Sequence, residues 1–363
     1  MEETLRVVLA MVVFNLFLPG DPIWLLIVGG SGRSKTEILN SIADLRGIIA
    51  LSNLTYSSLV SGLQHQKRKG FGLLQQLPAG GNFVILVKDM SAIFSQHPDT
   101  RNDLLALLRS VYDGEYKRNF GNQVNVDWSG RIGFIGATTP VIDQLSGVRQ
   151  KFGERFLFWR VEKEDLNGDI MLTARAIKKQ GQEKVWREEL RTAVYDFFNQ
   201  LQLRDPQLPC DLDIKISYLA NFVSYARSYV PRDYRTREID DVPQFEVGTR
   251  LGKMLYSLCK GLALLRDSKE FECEDYAIIK KVALNSIPKV RTLVLDALAR
   301  LKGADTSTVA NHVGLPWSTT KMVLTDLEAL GLVVCGSNWV LSNECVQLIH
   351  GAGYDDNIIF FEK

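Results

Sequence analysis

The fold is decided by the stretch WLLIVGGSGRSKT at residues 24–36, in which an apolar run enters a glycine-rich turn and then a helical segment from Glu37. Loop glycines let successive backbone N–H groups point at one anion, and the helix start adds the positive end of its dipole. The lysine carries charge to the outer phosphates, and the threonine hydroxyl can ligate Mg²⁺. The sequence therefore predicts a phosphate-binding loop formed by Gly29, Gly30, Ser31, Gly32, Arg33, Ser34, Lys35 and Thr36.

One position departs from the standard pattern of such a loop, which has glycine immediately before the lysine. The residue at that position is Ser34. The simpler alternative is a glycine-containing turn between a strand and a helix that holds no ligand. We favour the phosphate loop because strand, turn, Lys-Thr pair and helix follow one another in the required order.

A carboxylate follows a second apolar run, FVILV at residues 83–87. An unbroken apolar run of this length predicts a strand buried on both faces of a parallel sheet. Asp89 comes just after it, and a carboxylate at the carboxyl end of such a strand can hold Mg²⁺ beside a phosphate loop. Alone, Asp89 would more simply cap the following helix. Together with the loop, it predicts a metal site shared with Thr36.

The composition is that of an ordinary globular protein of 363 residues, 46% of them hydrophobic and 23% charged. The formal net charge of +1 gives no global attraction to nucleic acid, so any contact with DNA requires a local patch. The odd number of scattered cysteines predicts neither a disulfide framework nor a zinc site and favours a reducing cytoplasm. These cysteines are Cys210, Cys259, Cys273, Cys335 and Cys345.

The apolar run from Val7 to Leu18 resembles a signal peptide only superficially. It follows Glu2 and Glu3 rather than a basic segment, and it is too short to span a bilayer. We therefore expect a buried helix and no membrane attachment.

Residues 1–163 alternate apolar strands with helical segments, which predicts a parallel α/β sheet. A hairpin is expected at 116–128, where polarity alternates around Gly121 and Asn122. The predicted sheet strands are Trp24–Val28, Ile48–Leu51, Phe83–Val87, Arg131–Ile135 and Phe156–Trp159.

The rest of the chain is predicted to be mostly helical. Residues 164–287 contain periodic apolar positions typical of helices, with breaks rich in proline. Residues 288–345 combine a helix, a helix-turn-helix and a hairpin, which predicts a winged-helix domain. Residues 346–363 would form a C-terminal tail.

Three further residues suit a nucleotide site. Thr139 follows the fourth predicted strand, where a polar side chain would lie beside the outer phosphate and hold the attacking water. Arg155 precedes the fifth strand, and Arg250 opens a helix of the second domain. Guanidinium groups suit phosphate because of their fixed charge and planar fork of donors. Each arginine could equally form an ordinary surface salt bridge.

This order of elements resembles an AAA+ ATPase, and in particular the MCM-type helicase branch, which also lacks glycine before its loop lysine. The resemblance implies an α-helical lid at 164–287, ATP and Mg²⁺ as cofactors, and a ring-shaped homo-oligomer such as a hexamer. It also implies these roles: Lys35 and Thr36 as phosphate and Mg²⁺ contacts, Asp89 as the Walker B aspartate, Thr139 as sensor 1, Arg155 as an arginine finger for a neighbouring subunit, and Arg250 as sensor 2.

More narrowly, the chain resembles ATPases of phages and mobile elements in which an AAA+ core precedes a winged helix. One departure concerns hydrolysis: AAA+ proteins usually carry glutamate directly after the Walker B aspartate, and this chain has Met90. Turnover would then be slow, or another acid such as Glu115 or Glu154 would orient the water.

Two hairpin residues and one helix residue are the candidates for nucleic-acid contact. Lys117 and Arg118 could face a central pore and follow a phosphate backbone, and the basic run 67–69 with its flanking glycines and Phe71 suits a loop that grips a polymer. Each could equally be a solvated charged loop. In the winged helix, the reading helix offers Ser318, Thr319, Thr320 and Lys321 near its start. Asp326 and Glu328 on the same helix weaken its attraction to phosphate, so contact with a protein is as good an interpretation.

Three functions remain open at this point. The first is a ring-forming ATPase that translocates on or unwinds DNA, such as a replication helicase of a phage or mobile element. The second is a replication initiator or loader that uses nucleotide as a switch. The third is a nucleotide-gated scaffold in a regulatory or defence complex, which the near-zero net charge supports.

Overall fold

The computed structural model describes residues 1–62, 64–65, 68–69, 71–120, 125–144, 155–161, 165–204, 206–233, 235–266 and 271–354. Tertiary contacts divide the chain into two units, Met1–Pro206 with Lys260–Phe271, and Gln207–Cys259 with Glu272–Lys363. The predicted lid at 164–287 thus has residues in both units. The domain boundaries expected from the sequence stay predictions.

The first unit contains a parallel sheet with helices and two small hairpins around it. In chain order its elements are α1 (Glu2–Phe17), β1 (Trp24–Val28), α2 (Lys35–Ile42), β2 (Ile48–Leu51), α3 (Tyr56–Leu59), β3 (Gln64–His65), β4 (Arg68–Lys69), α4 (Leu73–Gln76), β5 (Asn82–Val87), α5 (Ser91–Phe94), α6 (Pro98–Tyr112), β6 (Glu115–Asn119), β7 (Asn125–Ser129), β8 (Arg131–Thr138), a 3₁₀ turn (Pro140–Gln144), β9 (Phe156–Arg160), α7 (Leu166–Lys178) and α8 (Glu183–Gln200).

The five strands expected from the sequence are all present and form one sheet in the order β2-β5-β8-β1-β9, with every neighbouring pair parallel. Every residue of β1 is buried, as the apolar run predicts. The fourth strand is longer than expected, because it continues past Ile135 to Thr138. Its small residues Gly136 and Ala137 pair with Leu26 and Ile27 of β1 and continue the ladder. All five carboxyl ends therefore share one edge.

Helix α1 is the buried helix that the sequence predicts. Its polar residue Asn15 is satisfied, because the side-chain amide donates to Ile23 O at 2.9 Å and its oxygen accepts from Ile23 N at 2.9 Å. Thr4 is also bonded, to the indole nitrogen of Trp159 at 2.8 Å. In the part of the chain that the structure describes, no helix has the length and apolar character needed to cross a bilayer.

The predicted hairpin is formed by β6 and β7, which pair Tyr116 with Trp128 and Arg118 with Val126. Val126 and Trp128 are buried. Residues of a strand alternate between its two faces, so one face of the hairpin packs inward and the other faces solvent. The expected turn at Gly121 and Asn122 lies outside the described residues.

Helices α7 and α8 bury little of their surface. None of the described residues of α7 is buried, and Val194 is the one buried residue among those described in α8. Helix α8 nevertheless packs against α2, the helix that begins at Lys35. Polar contacts between these helices therefore matter for the site below.

The second unit is mainly helical. Its elements are α9 (Leu212–Arg227), α10 (Thr249–Leu265, whose last residues belong to the first unit), α11 (Cys273–Asn285), α12 (Lys289–Leu301), α13 (Thr306–Val313), α14 (Trp317–Ala329), β10 (Val333–Cys335), β11 (Trp339–Leu341) and α15 (Asn343–Gly351). The elements expected for 288–345 are present. Residues 346–351, expected in a tail, complete α15, which packs on α9.

Candidate nucleotide-binding site

The loop between β1 and α2 is wrapped around the side chain of its own lysine. Lys35 Nζ donates to the carbonyl oxygens of Gly29 at 2.7 Å and Gly30 at 2.6 Å. Gly29 N donates to Thr138 O at 3.1 Å, which fixes the loop to the end of β8. A Cβ at Gly29 would lie 3.1 Å from Cβ of Val161, whereas one at Gly30 would meet nothing within 4 Å. The loop is therefore packed on one side and open on the other.

Ser34 has a left-handed backbone conformation, with φ 56° and ψ 12°. This is the position where the standard loop has glycine, and the geometry explains that preference because glycine adopts positive φ without steric cost. For a residue with a Cβ, the left-handed region costs about 1–2 kcal/mol. The loop therefore has the standard backbone geometry, with steric strain at Ser34. Gly32 also has a positive φ, of 76°.

The remaining loop residues are more exposed. Ser31 and Thr36 are solvent-exposed, and Thr36 lies in the first turn of α2. Arg33 forms an ion pair with Asp169 of α7, with 2.8 Å between Nη2 and Oδ1. This contact could not be predicted from the sequence, because the two residues are remote along the chain.

The loop lysine Lys35 interacts electrostatically with Asp89, the expected metal ligand. Burial lowers the pKa of the Lys35 ammonium, and the charge of Asp89 partly opposes that shift. Asp89 is exposed, and its Oδ1 accepts a hydrogen bond from Ser91 N at 2.8 Å. It therefore caps the following turn, as the simpler interpretation expects, and it also lies close enough to Lys35 to interact with it.

Thr139 lies at the same edge of the sheet. It directly follows β8, whose last residue Thr138 pairs with Val28 at the end of β1. Met90, the residue after Asp89, is fully buried, and its N–H donates to Ala137 O at 2.8 Å. Its Cγ packs against Gly136. A carboxylate at position 90 would therefore be buried in the core.

The donor set suits Mg²⁺. An exposed threonine hydroxyl and an exposed carboxylate are hard oxygen ligands, and Mg²⁺ is commonly bound by one or two such groups together with phosphate oxygens. Within the described residues, no group of three His, Cys, Asp or Glu side chains could hold a metal by itself. Thr36 and Asp89 would therefore need the nucleotide to complete the coordination.

Arg155 lies at the opposite edge of the sheet from the loop. It precedes β9, whose first residue Phe156 pairs with Trp24 at the start of β1. The five residues of β1 separate the two edges by about 15 Å at 3.3 Å per residue. The guanidinium donates to both carboxylate oxygens of Asp113 and lies 5.4 Å from the ring centre of Tyr112. Arg155 is thus held far from Lys35 of its own chain.

One of the acids considered for hydrolysis lies far from the loop of its own chain. Glu115 opens β6 and pairs with Ser129, just before β8 begins at Arg131. This is again the amino edge of the sheet, because Arg131 is the first residue of β8. The expected role of Glu115 in hydrolysis stays a prediction. Glu154 lies outside the described residues.

Arg250 is the second residue of α10 and is half-buried. It belongs to the second unit, so its expected role at the nucleotide stays a prediction.

The two hairpin candidates lie on opposite faces of the hairpin, both with exposed side chains, and their expected contact with DNA stays a prediction. Arg118 lies on the inward face, stacked 5.0 Å from the ring centre of Tyr56 and 4.9 Å from that of Phe120. It also donates to the Tyr56 hydroxyl, and hydrogen bonds that Arg118 donates to the hydroxyls of Tyr116 and Tyr56 raise its pKa. Lys117 faces solvent with 70% of its side chain exposed, 3.4 Å from Asp127. Of the basic run 67–69, Lys67 lies outside the described residues.

The expected reading helix, α14, offers fewer contacts than its sequence suggested. Thr320 is fully buried and donates to Pro316 O at 3.1 Å, so its side chain is not accessible to a DNA base. Lys321 lies 4.4 Å from the ring centre of Trp339. Asp326 forms ion pairs with Arg232 at 2.6 Å and Arg291 at 3.1 Å, and its expected effect on phosphate binding stays a prediction.

Sequence reasoning missed an ion pair at the loop edge of the sheet. Asp143, in the turn after Thr139, accepts from both terminal nitrogens of Arg160 at 2.7 Å. Arg160 ends β9 and pairs with Val28, so the ion pair joins the two strands that flank β1. No sequence signal could have identified it, because it depends on the strand order.

Comparison with known proteins gave no family model and no curated protein that matches this chain. Among solved structures, a full-length MCM homolog from Methanopyrus kandleri aligns with 79% of this chain and 56% of its own, at 15% identity and a TM-score of 0.44. The S. cerevisiae Hsp104-ADP complex aligns with 98% of this chain and 52% of its own, at 15% identity and a TM-score of 0.29. The chain spans just over half the length of each.

Proposed function

We propose that this protein is an AAA+-type ATPase that binds ATP and Mg²⁺ at residues 29–36. The observation that supports this most strongly is the loop wrapped around the Lys35 ammonium, at the edge of the sheet where Asp89 follows β5 and Thr139 follows β8. Ligands of parallel α/β sheets bind at the carboxyl ends of the strands, which is this edge.

Each of the predicted site residues would have a distinct role in binding the nucleotide. Lys35 would exchange its carbonyl partners for the outer phosphates, since a phosphate oxygen is the stronger acceptor for an ammonium. Thr36 and Asp89 would hold Mg²⁺, which supplies charge neutralisation of the transferring phosphoryl group when bound. Thr139 would hold the attacking water through its hydroxyl. Arg250 would reach the nucleotide from α10.

The position of Arg155 supports an oligomer. A guanidinium about 15 Å from its own loop edge can act at a nucleotide only if another subunit brings that nucleotide to it. Such a head-to-tail contact is heterologous. It closes into a ring when the rotation between neighbouring subunits brings the last subunit back to the first. We therefore propose a ring-shaped homo-oligomer with the nucleotide between subunits.

We further propose that the ring acts on DNA, as a replication helicase or translocase of a phage or mobile element. Lys117 supports this, because it presents an exposed ammonium at the solvent-facing side of the β6–β7 hairpin. Arg118 would support the hairpin from its inner face. The winged helix would add contacts through Lys321.

A nucleotide-switched initiator or loader is the second candidate. The buried Met90 after Asp89 favours it, because this position lacks the glutamate that usually orients the attacking water. This candidate expects nucleotide-dependent binding to duplex DNA with little turnover.

The two candidates are separated by ATP hydrolysis measured with and without single-stranded DNA. A translocating ATPase is stimulated by single strands, and its DNA affinity falls steeply with salt concentration. An initiator binds duplex DNA with nucleotide and unwinds nothing. Binding of nucleotide without any DNA contact at low salt would contradict both and favour the scaffold.

A further inference from the structure

Two ion pairs tie the phosphate loop to the helices α7 and α8. Arg33 Nη2 lies 2.8 Å from Asp169 Oδ1 in the first turn of α7. Glu37 accepts two hydrogen bonds from Arg187 of α8, from Nε and from Nη2, each at 2.8 Å. The second pair is bidentate, so it fixes direction as well as distance.

These two pairs lie on either side of the strained residue. Ser34 follows Arg33 directly and precedes Glu37 by three residues. A residue in the left-handed region keeps that conformation only when its surroundings determine it. Here the side chains on both sides are anchored to α7 and α8, while the Ser34 side chain makes no capping hydrogen bond. The anchors are therefore positioned to maintain the loop's backbone.

The two ion pairs differ in how far solvent screens them. The Arg33 side chain is only 15% exposed and that of Asp169 35%, so solvent screens their attraction less than at an open surface. The pair of Arg187 and Glu37 is more open to solvent, with side chains 51% and 38% exposed, and its bidentate geometry is what fixes it. Since α7 and α8 bury little apolar surface, these polar contacts are a large part of what holds them near the loop.

We infer that Asp169 and Arg187 are positioning residues that hold the phosphate loop ready for nucleotide. This inference rests on the proposed function. The helices α7 and α8 act as a clamp that offsets the strain at Ser34 before a ligand arrives. Without the clamp, the loop relaxes, and nucleotide binding must restore it.

The test measures the affinity for MgADP by calorimetry in variants of the full chain. We expect Asp169→Asn and Arg187→Gln each to weaken binding about tenfold, the equivalent of 1.4 kcal/mol. Asp169→Glu should recover most of the loss. The matched control is Asp44→Asn, which removes the 3.0 Å pair between Arg191 of α8 and Asp44, in the turn that follows α2 and seven residues beyond Glu37. We expect it to stay within twofold of the wild type.

A second background separates positioning from a general loss of stability. In the Ser34→Gly background the loop keeps its backbone conformation without steric strain, so Asp169→Asn should weaken MgADP binding less than threefold. An equal tenfold loss in both backgrounds, or no loss in the wild-type background, would overturn the inference.

A failure of the proposed function can be told apart from a failure of the clamp. If the wild type binds no nucleotide, amide hydrogen exchange of residues 33–36 in the free protein still tests the clamp. Asp169→Asn and Arg187→Gln should speed exchange there at least fivefold without changing exchange in α1. Unchanged exchange at residues 33–36 would overturn the clamp.

Discussion

The Arg155 guanidinium donates to both carboxylate oxygens of Asp113, at 3.2 and 3.1 Å, on the edge of the sheet that lies away from the phosphate loop. In one chain this arginine is part of an ordinary ion pair. We propose that it serves a nucleotide only in an assembly, where the phosphates bound by a neighbouring subunit would replace Asp113 as its anionic partner. This relationship makes the trans role testable.

Mixing two inactive variants tests whether the site is shared between subunits. Lys35→Ala and Arg155→Ala should each abolish ATP hydrolysis. A one-to-one mixture after subunit exchange should recover activity, because about a quarter of the interfaces in a head-to-tail ring then combine two intact halves. The readout is phosphate release by the mixture. Arg109→Ala, at an exposed position of α6, is the matched control and should retain activity. A mixture as inactive as its components would contradict the shared site.

The strain at Ser34 predicts a stabilising substitution. Ser34→Gly should raise the free energy of unfolding by about 1 kcal/mol, because glycine removes the steric cost of a positive φ. Ser34→Ala keeps a Cβ and should bring no such gain. Both variants are compared by urea denaturation without nucleotide. Destabilisation of the glycine variant relative to alanine would argue against strain.

The hairpin predicts different outcomes for two adjacent basic residues. Lys117→Ala should lower affinity for single-stranded DNA and reduce the slope of log affinity against log salt by about one phosphate contact, while unfolding stays unchanged. Arg118→Ala should instead lower the free energy of unfolding by about 1 kcal/mol, because it removes stacking on Tyr56 and Phe120. The two measurements are a salt titration and thermal denaturation. Identical behaviour of the two variants would contradict the assignment of opposite faces.

The cluster around Asp326 predicts a strong effect on stability in the second unit. Arg291 donates to Ala226 O at 3.0 Å, to Ser228 O at 2.6 Å and to Asp326 at 3.1 Å, and Asp326 also pairs with Arg232. Burial lowers the pKa of Arg291, and Asp326 opposes that shift. Asp326→Ala should cost about 3 kcal/mol, because it leaves a buried guanidinium without its counter-charge. Glu328→Ala, at an exposed position of α14, should cost under about 0.5 kcal/mol in the same denaturation experiment.

The sequence was sufficient for the parts of the fold that local patterning dictates. The run at Trp24–Val28 predicts a buried strand because it is apolar throughout, and the glycines after it predict the loop. The hairpin followed from alternating polarity. The opposite faces of Lys117 and Arg118 could also have been predicted, since neighbours in a strand always point to opposite sides.

The contacts that complete the site could not be predicted in this way. Arg33 meets Asp169, and Asp143 meets Arg160, only because the chain folds their elements together. The burial of Met90 depends on how α5 packs against β8, and the positive φ of Ser34 depends on the loop's closure around Lys35. Interactions between residues remote along the chain carry no local signal.

The most direct test of the central claim is a calorimetric titration of the full chain with ATP and Mg²⁺, repeated with Lys35→Ala. We expect one nucleotide per chain for the wild type and no detectable heat for the variant, with both proteins unfolding at the same temperature. Absence of heat for the wild type with both ATP and ADP, or equal affinity in the Lys35→Ala variant, would contradict the account.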